Sequence, residues 1–235
     1  ADDSGALGFT DAIVLLSYIF GRGSAPPAPF PDCGDDPTAD ALGCEAAEGC
    51  RFSFQIYGKE LIADGVFFVV DTSGSMLDSG ELQIAKREMI RVITEFNPET
   101  QFGVVFFNNS VRKFPASGQA AEANDAMKTS AASYIESVSG GSGSCTQAGL
   151  SAAVNFAYSS SARRAAITYI GDGGGTCSGQ DESTYLAQTL AAITQANAGR
   201  ARIHTIGVLQ IPLLNEKFLK DLAELNGGTY TSVVR

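Results

Sequence analysis

Asp71, Ser73 and Ser75 occupy alternate positions in the stretch DTSGSM, placing one carboxylate and two hydroxyls within five residues. Two later segments carry groups of the same kind: Thr146, just after a glycine-serine run, and Asp172 in GDGGGTC. Two carboxylates and three hydroxyls are hard oxygen donors. They suit magnesium, or manganese and calcium, better than zinc. With only two acids the set under-neutralises a divalent ion and does not fill six positions from protein alone. Water or a partner's carboxylate would complete the shell.

The elements around these residues give the spacing its meaning. Val66 to Val70 is a run of five β-branched or aromatic residues, the signature of a strand buried on both faces of a parallel sheet. Asp71 ends that strand, at a position expected to face solvent. Phe52 to Tyr57 alternates apolar with polar and predicts an edge strand. Asp78 or Ser79 is placed to cap a helix reaching about Phe96, with Leu82, Ala85, Met89, Val92 and Phe96 as its apolar stripe. Strands are predicted at 102–107, 111–114, 165–170, 203–208 and 230–234. Helices are predicted at 120–138, 147–158, 182–198 and 216–225. Alternating strands and helices imply an α/β fold, a doubly wound and mostly parallel sheet flanked by helices. Asp71 and Asp172 then both fall at carboxyl ends of strands, the edge where open α/β sheets bind ligands.

Other chemistry is poorly served. Neither Gly140 to Ser144 nor Gly173 to Gly175 forms a phosphate-binding glycine motif after the first strand. The single histidine, His204, lies inside a predicted strand and has no nucleophile assigned to it, so the chain is not expected to be an enzyme. A formal charge of −10 argues against nucleic acid as a partner. No apolar run reaches the roughly 20 residues of a membrane span. No signal peptide is visible, so the chain is expected to be cytosolic or already processed. Five cysteines without a CxxC pair argue for disulfides, and hence for an exported protein.

Composition divides the chain into three segments. Residues 1–22 form a loop-helix segment in which Asp2, Ser4, Gly5 and Asp11 fall at the third, fifth, sixth and twelfth positions of a calcium loop, with the carbonyl of Ala6 as a further ligand. This segment resembles half of a dockerin. Its apolar residues Ile13, Leu16 and Phe20 need cover, from the rest of the chain, an upstream repeat or a neighbouring chain, so self-assembly through this segment is one of three expectations. Residues 23–50 are rich in proline, glycine and acid and read as a linker, in which Cys33 and Cys44 are predicted to pair. Cys50 is left to pair elsewhere or stay free. Residues 51–235 hold the alternating strands and helices.

Within 51–235, DTSGSM, the T-x-x-G of Thr146 to Gly149 and the GDG of Gly171 to Gly173 resemble, in order and spacing, the three parts of a metal-ion-dependent adhesion site in a von Willebrand factor A domain. FLKDLAELNGGTY resembles the last helix and strand of bacterial members. The resemblance implies that Ser73, Ser75 and often Thr146 touch the metal directly, while Asp71 and Asp172 act directly or through water. It implies a secreted or cell-surface adhesion or assembly module that binds an Asp or Glu carboxylate of a protein partner. The alternative is a structural subunit of a surface layer or filament, with the domain as scaffold. In such a fold Cys145 and Cys177 flank loops that meet at the sheet edge, and they are expected to form a disulfide.

Overall fold

The computed structural model describes residues 8–21, 23–26, 52–177, 179–209 and 215–234. The chain divides into two compact units, Ala1–Ser53 and Phe54–Arg235. In the first, helix α1 spans Phe9–Ile19, and the Asp11 carboxylate in its first turn accepts the Gly8 N–H at 2.7 Å. Asp2, Ser4, Ala6, Cys33, Cys44 and Cys50 lie outside the described residues.

The second unit is built on strand β3, Gly65–Asp71, in which all seven residues are buried. Its side chains alternate between two apolar layers. Val66, Phe68 and Val70 pack with Leu82, Ala85, Met89 and Val92 of α3 (Glu81–Glu95) and with Ala131 and Ile135 of α4 (Asp125–Ser137). Phe67 and Val69 pack on the other face with Leu150 and Val154 of α5 (Thr146–Ser159). That face is continued by Leu186 and Ile193 of α6 (Glu182–Asn197) and by Phe218 and Leu222 of α7 (Glu216–Leu225). A strand with no polar face can be satisfied only in the middle of a covered sheet.

Parallel neighbours complete the centre: β4 (Gln101–Phe107) on one side, and on the other β7 (Ala165–Gly171), β8 (Ala201–Leu209) and β9 (Tyr230–Val234). Two antiparallel strands, β5 (Val111–Phe114) and β6 (Ala121–Glu122), pair with β4. The sheet order is β5-β4-β3-β7-β8-β9, with β6 beside β4. The chain leaves β3 in one direction and returns to build β7 on its other flank. The carboxyl ends of β3 and β7 therefore border the crevice at which the strand order reverses.

The doubly wound α/β expectation holds, with three local differences. The strand expected over 52–57 is not part of the main sheet. As β1 (Ser53–Ile56) it pairs with β2 (Lys59–Ile62) in a separate two-stranded sheet. Tyr57 and Gly58 both adopt positive φ, 49° and 73°, the geometry of a tight hairpin turn. The helix expected to be capped by Asp78 or Ser79 and to reach about Phe96 is α3, which begins at Glu81 behind left-handed Gly80, and a short helix that was not expected, α2 (Gly74–Asp78), precedes it. The alanine-rich stretch from 120 opens with β6 because its pairing with β4 overrides alanine's helix preference. Its helix begins only after the N-cap Asn124, whose side chain accepts the Met127 N–H at 3.0 Å.

Gly149 lets α5 lie close on β4: a Cβ there would stand 2.5 Å from Cδ1 of Phe107, which is fully buried and has little room to shift. Gly149→Ala is expected to destabilise the fold by about 1–3 kcal/mol through overpacking. Urea unfolding checks this, and an unchanged midpoint contradicts the tight contact.

Candidate functional site

Asp71, Ser73, Ser75, Thr146 and Asp172 come from three separate loops and are joined by hydrogen bonds at the carboxyl edge of the sheet. Asp71 closes β3, and the next residues run into α2. Ser73 is the N-cap residue of α2, yet its hydroxyl makes no capping bond and lies instead 3.1 Å from Ser75 Oγ. Ser75 donates to Asp172 Oδ2 across the crevice. Thr146 is the first residue of α5 and fully buried. Asp172 follows β7 directly, and its Oδ1 accepts the Gly174 N–H at 3.2 Å.

Asp71 does not face solvent. Its exposure is 0%, because β4, β7 and the loop before α5 close around the end of β3. Its Oδ1 accepts the Ser73 N–H at 2.7 Å and its Oδ2 accepts the Ser144 hydroxyl at 2.9 Å. Burial, with the nearby Asp172 charge as the second cause, pushes the Asp71 carboxyl up to about 7, against the opposing pull of the Ser73 and Ser144 hydrogen bonds. Among the described residues no Lys, Arg or His pairs with either carboxylate. The Tyr169 hydroxyl, also deep in this region, is buried without a hydrogen-bond partner. Ser75 is exposed and Asp172 half-buried, so the site opens to solvent on their side.

The loops are fastened to one another. Thr72 donates its N–H and hydroxyl to the Phe107 carbonyl at 2.8 and 2.9 Å, and its own carbonyl accepts the Gly141 N–H at 2.8 Å. The Cys145 N–H reaches the Asn108 carbonyl at 2.8 Å. The expected disulfide between Cys145 and Cys177 is present. It joins the residue before Thr146 to the loop after Asp172. Glu182 Oε1 accepts the Gly175 N–H and, at 3.0 Å, the Asn215 side-chain amide.

Ser144, Glu182 and Asn215 were not anticipated from sequence. Ser144 stands two residues before Thr146, repeating the alternate spacing of Ser73 and Ser75, but a glycine-serine run hides such a signal. Glu182 and Asn215 meet the loop only through tertiary structure. His204 lies in β8, away from these loops in the sequence of strand ends. Its Nδ1 accepts the Thr229 N–H at 3.1 Å, and burial first, then Arg202 and Lys59, lowers its pKa to about 4.

The donor set fits a hard cation. Two carboxylates lacking a basic partner and three hydroxyls converge, while no group of three or more His, Cys, Asp or Glu stands together among the described residues. The residues able to hold a divalent ion are Asp71, Ser73, Ser75, Thr146 and Asp172.

Two predictions follow from this geometry. Replacing Cys145 and Cys177 together by serine is expected to cost about 3–4 kcal/mol, from the loop they close, and urea unfolding with and without reductant measures it. The second concerns pH. A carboxyl raised from 3.8 to about 7 on folding binds its proton more tightly in the folded chain. In chelator its contribution to stability therefore falls as pH rises from about 4 to about 7 and is level above. Asp71→Asn, compared with the parent chain at pH 4.5 and pH 8, should gain relative stability at the higher pH. A difference that does not change with pH contradicts the assignment.

Comparison with known proteins matches this architecture. The model of the von Willebrand factor type A domain family matches residues 65–234, from the first residue of β3 to the last of β9. A von Willebrand factor type A structure from Catenulispora acidiphila superposes with a TM-score of 0.60 at 19% identity, over 72% of this chain and 38% of that one. The vWF domain of the type V pili tip protein Mfa5 from Porphyromonas gingivalis gives 0.55 at 13% identity, over 72% and 89%. The pilus adhesin SpaC from Lactobacillus rhamnosus GG gives 0.54 at 12% identity, over 72% and 27%. At these identities the likeness is one of fold. The chain thus spans well under half the length of the first and last of these proteins. No curated protein matches the chain in sequence. Carried by a family match that takes in the whole central sheet and the loops at its carboxyl edge, the conclusion is that this chain belongs to the von Willebrand factor type A domain family.

Proposed function

We propose that the chain is a non-enzymatic adhesion or assembly module of the cell surface. In this reading it captures an Asp or Glu side chain of a protein partner through a divalent cation, Mg2+ or else Mn2+ or Ca2+. The observation that carries it is the convergence of Asp71, Ser73, Ser75, Thr146 and Asp172, with the two carboxylates left without a basic partner among the described residues. Ser73, Ser75 and Thr146 would supply neutral oxygens and Asp71 and Asp172 the charge. When bound, the cation supplies the electrostatic pull on the partner's carboxylate. The chain's own part is to hold five oxygens in place before the partner arrives, so that little ordering remains to be done on binding. Exposed Ser75 and half-buried Asp172 leave the approach open.

Three further observations support the reading. The fold is shared with a pilus adhesin and a pili tip protein. The Cys145–Cys177 disulfide suits an oxidising location outside the cytosol. No helix among the described residues is long and apolar enough to cross a membrane. A net charge of −10 gives no long-range attraction to an acidic partner, so capture would depend on the metal contact itself. On sequence grounds we also propose that Asp2, Ser4, the Ala6 carbonyl and Asp11 hold a Ca2+ at the amino-terminal loop when a preceding acid completes that loop.

The test is Mn2+ binding by calorimetry, followed by partner capture from the native surface with Mg2+ and with chelator. Asp71→Ala should abolish both, and Ser73→Ala and Ser75→Ala should each weaken Mn2+ binding by about tenfold or more. Near-UV circular dichroism confirms that each variant is folded. Capture that persists in chelator and in Asp71→Ala would leave the domain as a scaffold within a surface layer or filament.

A further inference from the structure

A hydroxyl that gives a lone pair to a cation must send its own proton to another acceptor. For two of the three hydroxyls that route is visible. Ser75 donates to Asp172 Oδ2, which commits its single proton. Ser73, 3.1 Å from Ser75 Oγ, is therefore the donor of that pair. The direction of the chain is Ser73 to Ser75 to Asp172, ending on a carboxylate that can only accept.

Thr146 has a counterpart route on the other side of the crevice. Ser144 donates to Asp71 Oδ2 at 2.9 Å, so its proton is also committed. Ser144 Oγ lies 3.3 Å from Thr146 Oγ1, and in that pair Thr146 must be the donor. We infer that Ser144 is a positioning residue of the site: it accepts the Thr146 proton and donates to Asp71, so that Thr146's free lone pairs are left for the cation. The inference rests on the cation reading above and adds a residue to it.

The surroundings hold Ser144 to this role. It is 3% exposed, so solvent does not readily take its place. A Cβ on Gly175 would stand 2.3 Å from Ser144 Cβ, so the Asp172 loop lies directly against it. The next residue, Cys145, is tied by its disulfide to that same loop. Asp71 is fixed in turn: the Ser73 N–H holds one oxygen and Ser144 the other, which sets the plane of the carboxylate. The two chains run from opposite flanks of the crevice, each through two hydroxyls to one acid. The Tyr169 hydroxyl lies near Thr146 but outside hydrogen-bond geometry, and is the rival acceptor.

The experiment measures Mn2+ affinity by electron paramagnetic resonance of the free ion, on the disulfide-bonded chain. Ser144→Ala is expected to lose about tenfold, the scale of losing a hydrogen bond to a metal ligand. Thr146→Val should lose at least as much. Because the part of Ser144's effect that passes through Thr146 is already lost in Thr146→Val, the double variant should lose less than the product of the two single losses. Tyr169→Phe should stay within twofold. Losses that multiply, or an unchanged Ser144→Ala, overturn the proposal. A loss in Tyr169→Phe equal to that in Ser144→Ala moves the proton to Tyr169 and also overturns it. Should Ser144→Ala fail to fold, proton NMR of the unsubstituted chain decides. Slowly exchanging hydroxyl protons on both Ser144 and Thr146 support the relay, and fast exchange of both rejects it. Mn2+ bound equally by the parent chain and by Asp71→Ala would instead remove the cation reading beneath it.

Discussion

The structure depends on holding Asp71 out of water next to Asp172. Burying a carboxylate without a cationic partner is costly, and a second acid beside it adds to the cost. The chain tolerates this arrangement because hydrogen bonds meet both Asp71 oxygens and because the surrounding fold is over-determined. Such a local conflict, set within an otherwise consistent apolar core, is the kind of feature that folds keep for use rather than for stability.

The apolar scaffold makes that possible. Central β3 is covered on both faces, so the end of the strand has little freedom to move away from its neighbours. Strand order places β7 beside it, and the register brings Val70 level with Ile170. Asp71 therefore follows one residue after that level on β3, and Asp172 two residues after it, just past the end of adjacent β7. Loops rich in glycine and serine have much conformational entropy to lose, and here they are held by carbonyl-to-amide bonds, by Glu182 and by a disulfide. A site on such loops is ordered by its fastenings.

A fold of this type hosts many functions, and likeness at 12–19% identity to surface proteins speaks to architecture alone. The functional reading rests on the groups themselves. Hard neutral oxygens outnumber the acids, one side of the crevice is open, and among the described residues no alternative set of nucleophile and base stands beside them. The buried position of Asp71 also separates its two effects. It is at once a source of strain in the fold and a charge that a cation would use.

Residue pattern alone determined much of this. Five consecutive apolar residues at 66–70 could belong only to a doubly covered element, and period-matched helices on either side made the parallel sheet legible. The D-x-S-x-S spacing, Thr146 and Asp172 were legible because each sits at a loop whose position follows from that sheet. The pairing of Cys145 with Cys177 followed from the same geometry. Tertiary structure decided what local pattern leaves open. Whether 53–56 joins the main sheet or folds back on 59–62 depends on a turn at Tyr57 and Gly58, not on the alternation of the strand. The burial of Asp71 depends on loops that are distant in sequence and close over it. Ser144 acquires its place only when Asp71 and Thr146 are brought to either side of it, because a hydroxyl's partners are set by positions in space and not by its neighbours in the chain.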